Sequence, residues 1–223
     1  MKLSDFEACR CLTVDTRMKS NQSSFGDLIA AYTSSSKPSS VKNAYAFLVG
    51  KGKLYPEAMY SFIDPVDIPM GWRGYPNSYC AFKAYQKMFQ ELIEQKVESV
   101  IIFEDDCELA PNFDEVLDEI SLPVGWDMFY FGGNYMQAES SQVQQYLWKT
   151  NGIMCWHAVA IHSRVFPEIV GWTPTTPIDH QCIKIHNRGN TYGVFPSIAV
   201  QKAGFSHVEG RYRDYSEFWS IKP

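Results

Sequence analysis

Ser99-Val100-Ile101-Ile102-Phe103-Glu104-Asp105-Asp106-Cys107-Glu108 sets a run of β-branched and aromatic residues directly before three carboxylates. The apolar run, Val100 to Phe103, reads as a short strand buried on both faces. Carboxylates at the end of such a strand need an explanation, because Asp and Glu are almost never fully buried without a partner. Strands of open α/β sheets present their carboxyl ends to a ligand crevice. A hard cation such as Mg²⁺ or Mn²⁺ fits there, since it prefers oxygen ligands and keeps positions for water and substrate phosphates. The same residues also fit an acidic loop capping the next helix near Pro111.

The flanking sequence alternates helix and strand signals. Upstream, Phe82, Tyr85, Met88, Phe89, Leu92 and Ile93 recur at three- and four-residue spacing, which predicts a helix over 79–96, capped by Ser78, that packs on a sheet. Before it, 65–76 is too rich in Pro and Gly for regular structure, and such loops on a rigid scaffold are where binding residues concentrate. Nearer the start, 12–14 reads as a first strand ending in the polar turn Asp15-Thr16-Arg17. A helix over 25–32 and strands over 44–49 and 59–63 follow.

Downstream, a helix is expected over 112–120. A strand over 127–131 is stopped by Gly132-Gly133-Asn134, where missing side chains allow close backbone approach to a ligand or simply a turn. Residues 137–145 are polar and read as a mobile connection. Strands over 146–150 and 153–161 flank Asn151-Gly152, a strong hairpin signal. A short helix over 165–170, a helix opened by Asp179 and ended by Gly189, and strands over 192–195 and 198–200 complete the pattern. Strands alternating with helices predict an α/β protein with a mainly parallel central sheet flanked by helices. No linker divides the 223 residues, so one domain over 1–223 is expected.

Composition narrows the function classes. Apolar residues make up 45% and charged residues 20%, ordinary for a chain with a substantial core. The formal charge is −5 and the sequence pI near 5.5, so no global basic field draws the chain to nucleic acid, although a local basic groove stays open. The six cysteines show no paired C-x₂-C spacing, and the N-terminus lacks the apolar run of a signal peptide. Reduced thiols and a cytoplasmic location are the corresponding expectation. No apolar run is long enough to span a bilayer.

Several blocks, in order, resemble glycosyltransferase family 25, the lipooligosaccharide and procollagen β-galactosyltransferase group, whose members have the GT-A fold. They are Leu12-Thr13-Val14-Asp15-Thr16-Arg17, Tyr79-Cys80-Ala81-Phe82, Phe103-Glu104-Asp105-Asp106, the run from Trp126-Asp127 to Gly132-Gly133, His157-Ala158, and Pro177-Ile178-Asp179. The chain departs from the family where a Ser-His pair usually follows Cys80 and Lys83-Ala84 stands instead. It departs again at Val159, where Tyr is usual, and at Ser206-His207-Val208, where Ser-Asp-Ile is usual. These departures touch the acceptor and donor-sugar regions and leave the acidic block intact.

The resemblance implies a UDP-sugar donor, a divalent metal (Mn²⁺ or Mg²⁺) and inverting transfer of a hexose, galactose or glucose, to a hydroxyl acceptor. A saccharide is the first choice of acceptor; a hydroxylated protein or a modified DNA base also offers a hydroxyl. Glu104 and Asp106 then stand where the metal is bound, with His207 as a further ligand or else a surface histidine, and Asp105 nearer the ribose. Asp179 is the candidate general base, competing with a plain helix cap. His157 is an alternative base or acceptor contact, or a hydrogen-bonded core histidine. Val14, Asp15, Arg17 and Asp64 would read the nucleoside, with Arg17 also suited to diphosphate. Lys83 would meet phosphate or base, and Gly132, Gly133 and Asn134 the donor sugar. Arg211 and Arg213 are candidates for a tail lid over the phosphates or a solvated charged tail. The competing class is a degenerate GT-A-like module that binds a glycan or protein partner without turnover.

Overall fold

The computed structural model describes residues 1–12, 68–136, 139–206 and 208–216. A 3₁₀ turn, Leu3–Asp5, leads into strand β1 (Ala8–Leu12), and after helix α1 (Pro76–Glu94) comes β2 (Ser99–Glu104), followed by β3 (Cys107–Leu109). Helix α2 (Phe113–Asp118) precedes β4 (Met128–Tyr130), β5 (Asn134–Tyr135), β6 (Ser140–Gln142), β7 (Leu147–Thr150), β8 (Ile153–Met154) and β9 (Ala158–His162). Three short helices follow, α3 (Phe166–Gly171), α4 (Ile178–Gln181) and α5 (Ile183–His186). Strands β10 (Thr191–Val194), β11 (Ala199–Gln201), β12 (Gly204–Ser206) and β13 (Arg211–Arg213) end the described chain.

The central sheet has seven strands in the order β1-β2-β9-β4-β10-β7-β6. β1 pairs parallel to β2, and β4 parallel to β10, whereas β9 is antiparallel to both its neighbours. β7 is antiparallel to β10 and to β6, so β1, β2, β4, β10 and β6 run one way and β9 and β7 the other. The α/β class expected from the helix-strand alternation is the one observed, with five of the seven strands of the sheet running one way.

Alternation along β2 explains why its apolar run is unbroken. Val100 and Ile102 face the layer of α1 and α3, where Phe82, Tyr85, Met88, Phe89, Phe166 and Ile169 are buried. Ile101 and Phe103 face the opposite layer, with Phe6, Phe113, Val116, Leu117 and Phe131. Helices thus cover both faces of the strand, each large apolar side chain contributing about 1.5–3 kcal/mol on burial. Glu104 keeps the parity of Ile102, so the strand's last side chain projects on the α1 side.

Four expectations change in detail. Strand β1 spans Ala8–Leu12, beginning earlier than the expected 12–14, of which only Leu12 is among the described residues. Helix α1 starts at Pro76, whose missing N–H costs nothing in the first turn, so Tyr75 holds the cap position while the Ser78 hydroxyl donates to the Tyr75 carbonyl at 2.6 Å. Residues 140–142 of the polar connection form edge strand β6, and its polar side chains suit a sheet edge. The Asn151-Gly152 hairpin does not form: β7 pairs with β10 and β6, β8 pairs with β5, and β9 inserts between β2 and β4. A positive φ of 76° at Cys155 bends the chain between β8 and β9, so the two cannot continue as one strand. The expected helix and strands within 25–63 lie outside the described residues. No helix among the described residues is long and apolar enough to cross a membrane.

Candidate active-site cleft

A cleft of about 250 Å³ opens at the carboxyl end of β2. Ser78, Ala81 and Tyr85 of α1 form one wall at helical spacing, and Glu104, Asp105 and Asp106 form the floor. Cys155 and Trp156, just before β9, and Asp179 and His180, in the first turn of α4, form the opposite side. Gln201 at the end of β11 and the segment around β12 and β13 (Ser206, Val208, Glu209, Tyr215) close the rim. Glu104, Asp105, Asp106 and Asp179, separated by 75 residues of chain or less, therefore share one cavity.

Each wall is held by identifiable bonds. The Gln86 amide of α1 donates to the carbonyls of Ile169, Val170 and Trp172 at 3.2, 2.9 and 2.8 Å, satisfying the C-terminal end of α3. The Gln181 amide donates to the Thr173 carbonyl at 3.1 Å while its oxygen accepts from the Thr175 N–H at 3.3 Å. The Arg73 N–H donates to the Thr175 carbonyl at 2.8 Å, tying the segment before α1 to the same loop. Together these contacts fix the approach to Asp179. On the floor, Asp105 N–H donates to the Leu12 carbonyl at 2.8 Å, and Glu104 N–H to the His157 carbonyl at 2.9 Å.

The electrostatics of the floor are unusual. The Tyr85 hydroxyl donates to Glu104 Oε1 at 3.0 Å, and the Gln201 amide reaches Glu104 Oε2 and Asp106 Oδ1, both at 3.4 Å. Burial raises the Glu104 carboxyl to about 8, helped by the negative charges of Asp106, Asp105 and Asp179 and opposed by the Tyr85 hydrogen bond. By surface area Glu104 keeps partial access to the cleft, but atoms crowd it on every other side. Among the described residues that line the cleft there is no Lys or Arg. Arg211 and Arg213 lie at the rim and are engaged by Glu209, at 2.7 and 3.0 Å.

The oxygen donors fit a hard cation in one specific way. Among the described residues no three His, Cys, Asp or Glu side chains converge closely enough to enclose an ion. Glu104 and Asp106 nevertheless converge on the same Gln201 nitrogen, and an ion bound by one or two carboxylates plus substrate phosphates and water needs no fuller cage.

The structure brings together Glu104, Asp105, Asp106 and Asp179 and places the other described candidates outside the cleft. Asp179 lies inside the first turn of α4, behind Pro177 at the cap position, and makes no side-chain cap bond to the helix. Its Oδ1 accepts the adjacent His180 N–H at 3.0 Å. His157 is fully buried beneath the floor, with Nε2 within 3.0 Å of the Ala199 carbonyl oxygen, and does not line the cleft. Burial lowers its pKa to about 4. Lys83 points off the cleft-facing stripe of α1 and donates to Gln86 at 2.9 Å. Gly132 and Gly133 serve close backbone packing: a Cβ at Gly132 would collide with the Ala199 carbonyl, and one at Gly133 with Ile153 and Met154. Asn134 is in β5, paired with Met154. Val14, Asp15, Arg17, Asp64 and His207 lie outside the described residues.

Tyr85, Trp156 and Gln201 are site residues that pattern reading misses. Tyr85 and Trp156 read as core aromatics, which they also are, and Gln201 follows a short apolar run with nothing to mark it. Only their third-dimension neighbours give them a role.

No family model matches the chain, and no curated protein matches it by sequence. Among solved structures, one similar fold is a glycosyltransferase involved in the glycosylation of the major capsid of PBCV-1. That likeness has 12% identity and a TM-score of 0.42, covering 91% of this chain and 96% of the other. Mannose-1-phosphate geranyltransferase from Thermus thermophilus is similar at 6% identity and a TM-score of 0.38, over 93% and 75% of the two chains. A197 from STIV is similar at 14% identity and a TM-score of 0.35, over 51% of this chain and 62% of that one, so this chain spans less than two thirds of that protein.

Proposed function

We propose that the chain is a metal-dependent glycosyltransferase that moves a hexose, galactose or glucose, from a UDP-sugar to a hydroxyl acceptor with inversion. The observation that carries this reading is the convergence of Glu104, Asp106 and Asp179 in one cleft, with Glu104 held at about 8 by burial and its acidic neighbours. The acidic side chains of Asp105, Asp106 and Asp179 beside Glu104 would repel a diphosphate unless a divalent cation stood between them. Glu104 and Asp106 would hold Mn²⁺ or Mg²⁺, and the cation would offset charge on the departing nucleotide diphosphate.

The remaining roles belong to the chain's own side chains. Asp179, on the opposite side from Tyr85 and near no fixed cation among the described lining residues, takes the proton from the acceptor hydroxyl as it attacks the anomeric carbon. Asp105 lies toward the β1 end, where its N–H meets Leu12 and the nucleoside would enter. Tyr75, exposed at the cleft, offers its ring to a saccharide acceptor, and the nearly buried Trp156 contributes only the small part of its side chain that reaches the wall. The bond to the anomeric carbon passes from the diphosphate oxygen to the acceptor oxygen, and the proton ends on Asp179.

The test is transfer and donor hydrolysis across a panel of UDP-sugars with Mn²⁺, using the parent chain, Asp106→Ala and Asp179→Asn. The expected result is turnover with one hexose donor, supported by Mn²⁺ or Mg²⁺ and by no monovalent ion, and lost by at least two orders of magnitude in Asp106→Ala. Absence of turnover with every donor, or turnover indifferent to Asp106→Ala, overturns the reading; saccharide binding without turnover would point to a non-catalytic module.

A further inference from the structure

Beneath the cleft, one buried hydroxyl joins the two segments, one carrying Trp156 and one carrying Asp179, that form the side opposite α1. The Trp156 indole N–H donates to Tyr130 Oη at 3.1 Å, and Tyr130 Oη lies 3.0 Å from His186 Nε2 and 3.4 Å from Cys182 Sγ. His186 Nε2 and Cys182 Sγ are themselves 3.3 Å apart, and the Cys182 thiol donates to the Asp179 carbonyl at 3.0 Å. Tyr130, Cys182 and His186 are fully buried, and none of them lines the cleft. Trp156 and Asp179 do line it, on segments that are neither neighbours in sequence nor paired in the sheet.

We propose that Tyr130, with Cys182 and His186, is a positioning group that sets Asp179 in place relative to Trp156, and hence the base relative to the acceptor. This rests on the reading of Asp179 as the base. The geometry carries it because α4 and α5 are only four residues each and are separated by Cys182, so neither helix is long enough to fix Asp179 by its own hydrogen bonds. The Cys182 side chain is the element's anchor: its thiol reaches back to Asp179, and its other neighbours are His186 Nε2 and the Tyr130 hydroxyl on β4, a central strand of the sheet. Tyr130 accepts from Trp156 and gives its one proton to His186 or Cys182, so the three arms close on a single oxygen.

The network is also electrically silent. Burial raises the Tyr130 hydroxyl far above its usual range and the Cys182 thiol to about 12, and lowers His186 to about 4. All three are neutral at physiological pH, so the network orders the wall without adding charge to an already acidic cleft. A buried network of this type is demanding: His186 Nδ1 has no hydrogen-bond partner among the described residues, so the arrangement rests on the bonds that meet at Tyr130 Oη and Cys182 Sγ, and with one of these removed it loosens.

The experiment uses the full chain with Tyr130→Phe, Cys182→Ala and Cys182→Ser. Amide hydrogen exchange over residues 177–182 is read first, because it needs no substrate. Exchange there is expected to quicken at least tenfold in Tyr130→Phe and Cys182→Ala and to stay near the parent rate in Cys182→Ser, whose hydroxyl restores a donor to the Asp179 carbonyl. In transfer assays with the UDP-sugar and Mn²⁺, kcat for the acceptor is expected to fall at least tenfold in the first two variants with the donor KM unchanged, and to be rescued in Cys182→Ser. Unaltered exchange over 177–182 in both Tyr130→Phe and Cys182→Ala overturns the proposal. So does equal behaviour of Cys182→Ala and Cys182→Ser. If no donor is turned over while the exchange pattern appears, the transferase reading fails and the positioning network stands.

Discussion

The Tyr85 hydroxyl donates to Glu104 Oε1 at 3.0 Å, linking the helix that covers the sheet to the carboxylate that ends its second strand. A donor to the ionised carboxylate favours the charged form. Without it, burial and the neighbouring Asp106 would hold the Glu104 proton still more tightly. In metal-free Tyr85→Phe, the Glu104 titration midpoint should move up from about 8 by roughly one pH unit, since a hydrogen bond to a charged group is worth about 1.5 kcal/mol or more. Carbon-13 chemical shifts of the glutamate carboxyls across a pH series measure it. A midpoint that stays or falls removes Tyr85 from the electrostatics of the floor.

The raised Glu104 carboxyl carries a stability consequence of definite sign. Its folded value, about 8, lies above the ordinary 4.5, so between those limits the native state holds a proton that the unfolded chain has released. Stability from this group is present below about 4.5 and is lost as pH rises through about 8. Glu104→Gln removes the loss, so the metal-free variant should unfold at a higher temperature than the parent at pH 8 and close to the parent's at pH 4.5. A gain of about 1–2 kcal/mol corresponds to roughly 2–8 °C for a chain of this size. Thermal scans in chelator at the two pH values check it, and a variant less stable at pH 8 contradicts the assignment.

Much of this geometry was legible before any coordinates. The unbroken apolar run from Val100 to Phe103 meant two covered faces, and both are covered. The acidic block at the carboxyl end of that strand lines a cleft, where strand ends of α/β sheets commonly face a crevice, and Asp179 lines the same cleft. Local turn chemistry was less informative, because pairing decides the partner: Asn151-Gly152 turns the chain, yet Thr150 faces Ser140 across the sheet and Ile153 faces Tyr135. Gly132 and Gly133 look the same whether a ligand or another strand approaches them, and here strands and side chains do. Gln201 is invisible in sequence because its role depends entirely on β11 ending beside Asp106.

Gly132 tests that last distinction directly. A methyl group there would overlap the Ala199 carbonyl, on the strand that delivers Gln201 to the floor. Backbone cannot move aside as a flexible side chain can, so Gly132→Ala should cost roughly 1–3 kcal/mol, the range of overpacked cores. Urea unfolding should show a lower midpoint with the slope unchanged. If stability is retained and only donor affinity falls, the glycine faces ligand and not β11.

His157 and His186 give the fold an acid limit. Burial lowers both from 6.5 to about 4, and each is fully enclosed, so the native state excludes a proton that the unfolded chain accepts. The sign is opposite to that of Glu104: stability is whole above about 6.5 and falls as pH drops toward 4, where the unfolded state binds more protons. Each histidine contributes at most about 3 kcal/mol of this loss, because one pH unit between the folded and unfolded titration midpoints is worth about 1.36 kcal/mol. Replacing His186 by Gln keeps a hydrogen-bonding group near Tyr130 and removes one titrating site. The drop in unfolding free energy between pH 6.5 and pH 4 should therefore be clearly smaller in His186→Gln than in the parent, whatever the variant's stability at pH 7. Chemical denaturation at both pH values in each protein decides it, and an identical drop means that His186 is protonated as readily in the fold as out of it.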